Sequence, residues 1–296
     1  MKYSRWLEKN THSLNGKNVV ITGSTGGLGK EICLYLLYLG ADLILIDRNP
    51  QKSSELDAFL KLQYPKAKIK HLIADMEDFS SVKSVSETLK SLEVDVLILN
   101  AGAYSIPRRT TDTGFDNVFQ INFVSHYYIT KELLPLLSTR KGRVIAVGSI
   151  AHNYSKTDPL SIDFKDRNKS SLVYGNSKRY LMFSLFELFK EHNQVSLSIT
   201  HPGITFTNIT SHYPKFIFAL IKYPMKLIFM KPKKAALSII KGLFNETKYH
   251  TWIGPGRFDI WGNPKIKALK TCTEAESKQI FNNAEYIYNN LKKNDC

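Results

Sequence analysis

The sequence predicts an α/β fold: a single-domain, doubly wound parallel sheet with helices on both faces. Short apolar runs of strand length alternate along the chain with stretches of helical length and period. Continuous apolar runs are typical of parallel strands that are buried on both faces, and right-handed crossovers through the intervening helices produce a doubly wound sheet. The 296 residues contain no internal repeat and no low-complexity linker, so one domain is the simplest organisation.

The elements follow from this alternation in chain order. The first strand, residues 18–22, is an apolar run that a glycine cluster follows at once, and residues 28–39 have helical period. The second strand, residues 42–46, leads to Pro50, which opens the next helical region. The later strands are predicted at residues 68–73, 94–99, 142–147 and 195–200, and the later helices at 80–92, 112–137 and 174–192.

The end of the chain gives weaker signals. Residues 252–256 and 261–264 resemble turn-rich structure near a last strand, and residues 274–291 resemble a closing helix. We expect residues from about 250 to 296 to form a C-terminal extension that packs on the domain.

Composition is ordinary for a soluble globular protein, with 43% hydrophobic and 23% charged residues. Cys33, Cys272 and Cys296 are widely spaced and form no CxxC pair, which argues against a disulfide framework and favours a reducing compartment. The histidines show no HxxxH pattern, so no metal site is expected. The first residues contain no apolar run, and no uninterrupted apolar stretch is long enough to span a bilayer. We therefore expect a cytoplasmic protein, with peripheral membrane contact as the alternative.

The net charge of +15 is concentrated late in the chain, where residues 205–296 hold 15 basic and 6 acidic residues. A basic surface attracts nucleic acid, anionic lipid or acidic substrates. Nucleic acid is not expected, because the aromatic residues in this region sit among aliphatic ones and form no exposed stacking series. A solvated basic face is the simpler interpretation, and contact of residues 214–234 with anionic membrane is the alternative.

The first chemical motif is Thr-Gly-Ser-Thr-Gly-Gly-Leu-Gly at residues 22–29, directly after the first strand. Gly23, Gly27 and Gly29 allow a tight turn and a close approach of the backbone to a ligand. The helix behind them directs free N–H groups at a pyrophosphate, so we expect Ser24 and Leu28 to lie beside a dinucleotide as well. The spacing departs from GxGxxG, and an ordinary glycine-rich loop is the alternative.

Asp47 and Arg48, at the end of the second strand, bear on the choice of nicotinamide cofactor. An Asp here can accept hydrogen bonds from both ribose hydroxyls of NAD, whereas a basic residue suits the 2′-phosphate of NADP. Like charges about 4 Å apart cost roughly 4 kcal/mol at an effective dielectric near 20. The sequence therefore predicts a preference for NAD(H) unless Asp47 is turned away, with NADP(H) as the alternative.

Further motifs follow later strands in a fixed order. Asn100-Ala-Gly follows the fourth strand, Ser149 follows the fifth, and Tyr174-Gly-Asn-Ser-Lys178 begins the helix before the sixth. Together with the loop at residues 22–29, these motifs resemble the short-chain dehydrogenase/reductase superfamily, especially its retinol-dehydrogenase-like and steroid-dehydrogenase-like members. A YxxxK match alone is weak, whereas five ordered matches on the right elements are specific. The resemblance covers about residues 16–207.

The resemblance implies a single Rossmann-type oxidoreductase domain with a defined set of site residues. The implied catalytic residues are Asn122, Ser149, Tyr174 and Lys178. Tyr174 and Lys178 also belong to the implied cofactor contacts. Beyond the residues that follow the first two strands, the other implied contacts are Asp75 and Met76 near the adenine, Asn100, Ala101 and Gly102 beside the cofactor, and Pro202, Gly203, Thr205 and Thr207 at the nicotinamide carboxamide.

The chemistry of these residue types supports the same reaction. Tyr174 and Lys178 are four residues apart and share one helical face. A tyrosine normally titrates near pH ~10, and a lysine cation about 5 Å away should lower its pKa by about two units. Tyr174 would then exchange a proton with the substrate oxygen, Ser149 would donate a hydrogen bond to it, and Asn122 would hold a water that relays protons to Lys178.

Residues 206–230 are rich in Phe, Ile, Leu and Met and are interrupted by Pro214 and Pro224. In the superfamily that the chain resembles, the matching segment covers the substrate, so the resemblance implies that residues from about 206 to 230 form a substrate lid. An apolar lid favours a small lipophilic substrate: an alcohol, a ketone or an aldehyde. A second copy of the chain, as a homodimer, is a further expected partner. The alternative functions on the same fold are a non-catalytic nucleotide-binding regulator and a membrane-surface interaction protein.

Overall fold

The computed structural model describes residues 3–154, 156–204 and 229–293. The strands are β1 (Asn18–Thr22), β2 (Asp42–Asp47), β3 (Ile69–Ile73), β4 (Val96–Leu99), β5 (Arg143–Val147), β6 (Ser196–Thr200), β7 (Thr251–Arg257) and β8 (Trp261–Ala268). The helices are α1 (Ser4–Asn10), α2 (Gly27–Tyr38), α3 (Pro50–Gln63), α4 (Phe79–Lys90), α5 (Asn117–Phe119), α6 (Ser125–Thr139), α7 (Ser170–Glu191), α8 (Pro232–Phe244) and α9 (Glu274–Lys293). A π-helical turn, Gln120–Val124, joins α5 to α6, and a 3₁₀ turn, Ile150–Asn153, follows β5.

The strands form one eight-stranded sheet in the order β3-β2-β1-β4-β5-β6-β7-β8. Every neighbouring pair from β3 to β7 is parallel, and only β8 runs antiparallel to its neighbour β7. The predicted doubly wound parallel sheet is thus confirmed. The strand order reverses between β1 and β4, which is where doubly wound proteins bind their ligands.

The two faces of the sheet build separate apolar layers. Successive residues of β4 show this directly: Leu97 packs in the layer that contains α4, α6, α7 and α9, whereas Ile98 packs in the layer that contains α2, α3 and α8. Neighbouring side chains of a strand point to opposite faces. A strand covered on both faces must therefore be apolar at every position, which is why these short runs were recognisable in the sequence.

Two predicted helix boundaries were wrong. The helix predicted from residue 112 begins only at Asn117, because residues 110–116 form a turn with Gly114 at a φ of +84°. Asp116 then caps the helix by accepting hydrogen bonds from the N–H groups of Val118 and Phe119. Helix α7 begins at Ser170 rather than at Tyr174, so Tyr174 lies inside the helix.

The C-terminal region is more regular than predicted. The two segments interpreted as turn-rich belong to β7 and β8, which form an antiparallel hairpin at the edge of the sheet. Helices α1 and α8 were not predicted, although Pro232 at the first turn of α8 is a typical start signal. The closing helix was predicted from Glu274, where α9 begins.

The expected substrate cover, residues 206–230, lies outside the described residues except for Phe229 and Met230. The same is true of the proposed membrane segment, residues 214–234, up to residue 228. Contact with a membrane through this segment therefore stays a prediction. In the described ranges, none of the helices has the length and apolar character needed to cross a bilayer.

Candidate active site

The glycine loop between β1 and α2 is tightly folded onto itself. Gly23 has a φ of +70°, and a Cβ at Gly29 would lie 2.3 Å from the carbonyl oxygen of Gly23. Gly26 caps α2 without a side-chain hydrogen bond, and the first turn of α2 holds no acidic residue. The N–H groups at this helix start therefore carry no side-chain acceptor and favour an anion such as a diphosphate.

Asp47 is turned into this loop. Its side chain is 3% exposed, and its carboxylate accepts hydrogen bonds from the Ser24 hydroxyl, the Thr25 N–H at 2.9 Å and the Thr25 hydroxyl at 3.1 Å. Asp47 therefore orders the glycine loop, and its expected hydrogen bonds with the ribose hydroxyls of NAD stay a prediction. Arg48 beside it is exposed to solvent, and the Lys30 ammonium group lies over the Phe59 ring, 3.4 Å from its centroid.

The residues after β4 join that loop to the rest of the site. The Asn100 side-chain amide donates to the carbonyl oxygens of Thr22 at 2.9 Å and Gly23 at 3.0 Å. A Cβ at Gly23 would approach Ala101 Cα to 2.8 Å. The loops that follow β1 and β4 are thus in direct contact at the switch point of the sheet.

Of the other expected cofactor contacts, Asp75 and Gly203 follow strands β3 and β6 at the same edge of the sheet. Asp75 follows β3, is half-buried, and accepts a hydrogen bond from the Glu77 N–H at 3.0 Å. The Met76 side chain is buried in the core, and its expected contact near the adenine stays a prediction. Gly203 follows β6 with a φ of +82°, whereas Thr205 and Thr207 lie outside the described residues.

Tyr174 lies among other hydroxyl groups near the start of α7. Burial raises its pKa above the ordinary tyrosine value, and a hydrogen bond with the Ser149 side chain opposes that rise. Its ring contacts the Tyr104 ring edge-on, with centroids 5.0 Å apart. The pKa of Tyr174 is thus raised and not lowered as expected, because burial outweighs the effects that favour the tyrosinate.

Lys178 is a buried cation one helical turn after Tyr174. Only 3% of the residue is exposed, and its Nζ donates to the Val147 carbonyl oxygen at 2.9 Å. Burial lowers the pKa of Lys178 to about 8, because removing an ammonium group from water disfavours its charged form. No carboxylate forms an ion pair with Lys178 within the described ranges.

Asn122 lies in the π-helical turn before α6, a distortion that is frequent at functional sites. Its side-chain oxygen accepts from the Ala103 N–H at 2.8 Å, and its amide donates to the Ala103 carbonyl at 2.9 Å and to the Ser177 hydroxyl at 3.0 Å. A Cβ at Gly102 would lie 3.0 Å from Asn122 Oδ1 and 3.5 Å from Lys178 Nζ. Gly102 therefore packs closely against Asn122 and Lys178, where a side chain would be crowded.

Buried polar groups behind Ser149 and Lys178 were not predicted from the sequence. His152 lies between the Ser149 carbonyl oxygen, 2.6 Å from its Nδ1, and the Thr271 hydroxyl, 2.8 Å from its Nε2. Arg179, directly after Lys178, is 2% exposed and pairs with Glu276 of α9. No local motif could reveal these contacts, because they join residues about a hundred positions apart.

A glycine loop at the switch point, the Ser149 hydroxyl after β5, and Tyr174 and Lys178 on α7 are together typical of dinucleotide-dependent oxidoreductases. The sequence matches the short chain dehydrogenase family over residues 17–216. The chain belongs to that family, and it is an NAD(P)-dependent oxidoreductase.

Curated relatives agree with this membership. The chain is 30% identical over 219 residues to "Short-chain dehydrogenase TIC 32 A, chloroplastic" from Brassica napus, with 68% of each sequence covered. It is also 30% identical over 214 residues to "Retinol dehydrogenase 14" from Mus musculus, which covers 67% of this chain and 64% of that protein.

Solved structures support the fold. An uncharacterized protein from Mycobacterium Paratuberculosis superposes with a TM-score of 0.74 at 23% identity, covering 95% of each chain. A short-chain dehydrogenase from Sphingobium yanoikuyae in complex with NADPH gives a TM-score of 0.60 at 19% identity, covering 76% of this chain and 84% of the other. At these identities the likeness concerns the fold alone.

Proposed function

We propose that the chain transfers a hydride between a nicotinamide cofactor and a lipophilic alcohol, ketone or aldehyde, with Tyr174 as the general acid and base. The observation that carries this proposal is the hydrogen bond between Tyr174 and Ser149, one helical turn from the buried Lys178 ammonium group. The tightly folded glycine loop and the helix start behind it, which has no acidic residue in its first turn, would suit the diphosphate of a dinucleotide.

The chain's own residues handle the proton and the developing charge. Tyr174 gives its hydroxyl proton to the substrate oxygen during reduction and takes it back during oxidation. Ser149 donates a hydrogen bond to the same oxygen and stabilises its negative charge. The Lys178 ammonium group favours the tyrosinate form of Tyr174, and Asn122 holds the Ala103 backbone beside it. The bound nicotinamide supplies or accepts the hydride.

Aromatic residues at the site favour a lipophilic substrate. Tyr104 and Tyr154 lie close enough to Tyr174 to influence its ionisation, and Tyr154 is 54% exposed. Apolar surfaces with few polar groups are typical of sites for lipophilic ligands. The name of the relative from Mus musculus refers to retinol, which is a substrate of this class.

For the cofactor, we propose that Arg48 favours NADP(H), contrary to the preference for NAD(H) predicted from the sequence. That prediction required a free Asp47 carboxylate, whereas three loop donors occupy it. Arg48 remains exposed at the end of β2, where a basic residue suits a 2′-phosphate. The fold neighbour from Sphingobium yanoikuyae is likewise a complex with NADPH.

The decisive experiment compares Tyr174→Phe with wild type. Retinoids, steroids and aliphatic alcohols are screened first, and the absorbance of the reduced nicotinamide is followed. We expect Tyr174→Phe to bind the cofactor normally and to lose about 10²- to 10⁴-fold in kcat, the usual scale for a lost acid–base group. Tyr286→Phe removes the hydroxyl of an exposed tyrosine on α9 and serves as the matched control, with kcat near wild type. Near wild-type turnover in Tyr174→Phe would refute the assignment.

A further inference from the structure

His126 is fully buried behind the proposed active site, in the first turn of α6. Its Nε2 lies 3.0 Å from the Thr22 hydroxyl at the end of β1, and its Nδ1 lies 3.3 Å from the Asn122 carbonyl oxygen in the π-helical turn. One imidazole ring therefore spans the distance between the base of the glycine loop and the turn that carries Asn122.

The Thr22 hydroxyl determines which ring nitrogen carries the hydrogen. It accepts the N–H groups of Asn100 at 3.0 Å and Ala101 at 2.9 Å, and a hydroxyl has two lone pairs and one hydrogen. That hydrogen points to His126 Nε2, because the other acceptor, the Ile98 carbonyl oxygen, is 3.5 Å away. Nε2 is then the acceptor, so Nδ1–H donates to the Asn122 carbonyl oxygen.

The ring is neutral in this environment. Burial and, to a smaller extent, the nearby Lys178 cation lower the pKa of His126 to about 3, although the hydrogen bond with Asn122 opposes them. A protonated ring would donate from both nitrogens and would leave the Thr22 hydroxyl without its acceptor. The neutral Nδ1–H form satisfies every polar atom of the network.

We propose that His126 is a positioning residue that fixes the Asn122 turn relative to the cofactor loop through two separate hydrogen bonds. The bond to Thr22 holds the junction of β1 and β4, where Asn100 and Ala101 contact the glycine loop. The bond to Asn122 holds the turn whose amide clamps Ala103, next to Gly102 and Lys178. The proposal rests on the proposed function, since it assigns one bond to cofactor binding and the other to turnover.

Two substitutions separate the bonds. An asparagine amide can occupy the place of Nδ1 and donate to Asn122, but it does not reach Thr22. A glutamine amide can reach Thr22 and accept from its hydroxyl, while leaving the Asn122 carbonyl without the donor. Loss of one buried hydrogen bond changes an equilibrium or a rate by roughly tenfold. We expect His126→Asn to raise the cofactor Kd about tenfold with a smaller loss of kcat, and His126→Gln to show the reverse. Equal losses of kcat and affinity in the two variants would overturn the proposal.

A measurement on the wild-type protein needs neither turnover nor a folded variant. Nitrogen NMR of protein with ¹⁵N-labelled histidine distinguishes the two neutral tautomers and reports protonation. We expect two buried rings in the Nδ1–H form that do not titrate between pH 5 and pH 9: that of His126 and that of His152, whose Nδ1 also faces a carbonyl oxygen; a single such ring would leave His126 without its assigned tautomer. An Nε2–H tautomer, or titration in that range, would overturn the inference. If the tautomer is found and no alcohol or carbonyl is turned over, the proposed function fails while the assigned network stands.

Discussion

The pair formed by Arg179 and Glu276 provides a quantitative test of how the C-terminal helix supports the site. Arg179 Nη2 lies 2.7 Å from Glu276 Oε2, and Nε lies 2.9 Å from Oε1. Arg179 also donates to the Thr271 carbonyl at 2.7 Å, and the Thr157 N–H and hydroxyl donate to Glu276 at 3.1 and 2.6 Å. We predict that Glu276→Gln is strongly destabilising, because it leaves a buried guanidinium group without its anion.

The size of the loss follows from the pKa of Glu276. Burial raises it, but hydrogen bonds from Arg179 and Thr157 outweigh burial and lower the pKa from 4.5 to about 2. A shift of this size corresponds to about 3 kcal/mol of folding free energy at pH 7. Because the folded-state pKa is the lower one, this contribution is complete above about pH 4.5 and disappears as the pH falls through about 2.

The assay is urea unfolding of wild type and Glu276→Gln at pH 7 and at several pH values below 4.5. We expect a loss of about 3 kcal/mol at pH 7 that shrinks towards pH 2. Glu274→Gln is the matched control, since Glu274 lies on the same helix with a side chain that is 79% exposed and 3.5 Å from Lys190; it should change stability little. A loss below about 1 kcal/mol in Glu276→Gln, or an equal loss in Glu274→Gln, would refute the reasoning.

Two other sites yield predictions. Lys178→Met should abolish turnover and should stabilise the cofactor-free protein at pH 7 by up to about 3 kcal/mol. Burial lowers the Lys178 pKa from 10.5 to about 8. The free-energy cost of the buried charge is therefore fully present below pH 8 and gone above pH 10.5. Thermal unfolding at pH 7 checks this, and a destabilised variant would contradict it. Arg48→Gln should weaken NADP(H) binding about tenfold and leave NAD(H) binding unchanged, whereas Asp47→Ala should weaken both because the loop loses its acceptor. Fluorescence titration with both cofactors measures this; if Asp47→Ala weakened only NAD(H), the ribose-binding role of Asp47 would be restored.

Local pattern was sufficient for the sheet and for the identity of the proposed catalytic residues. The run at β4 is apolar at every position because both faces are buried, and the lysine that follows Tyr174 by four residues shares its helical face. The direction of the Asp47 side chain was not predictable, since it depends on Ser24 and Thr25, which approach only after the loop has folded.

The same reason explains why His126 and Arg179 escaped notice. Each is an unremarkable residue in an apolar helix, and each acquires its role from partners on distant strands, loops or helices. His126 depends on Thr22, 104 positions away, and Arg179 depends on Glu276, 97 positions away. A single sequence contains no signal for such pairs, whereas the burial of a charged side chain or of a titratable ring in the structure identifies them.

The buried hydrogen bonds behind Ser149 and Lys178 include residues that lie outside the family match. The family match ends at residue 216. Thr271 and Glu276 lie beyond it and form hydrogen bonds with His152 and Arg179, which follow Ser149 and Lys178 closely in the chain. His152 contacts the Ser149 carbonyl oxygen and Thr271, and Arg179 donates to the His152 carbonyl at 3.3 Å. The C-terminal segment is therefore tied to the Ser149 loop through one continuous set of buried hydrogen bonds. Substitution of Glu276 should therefore disturb the position of Ser149 as well as lower the stability, because the groups that position Ser149 depend on the same buried guanidinium.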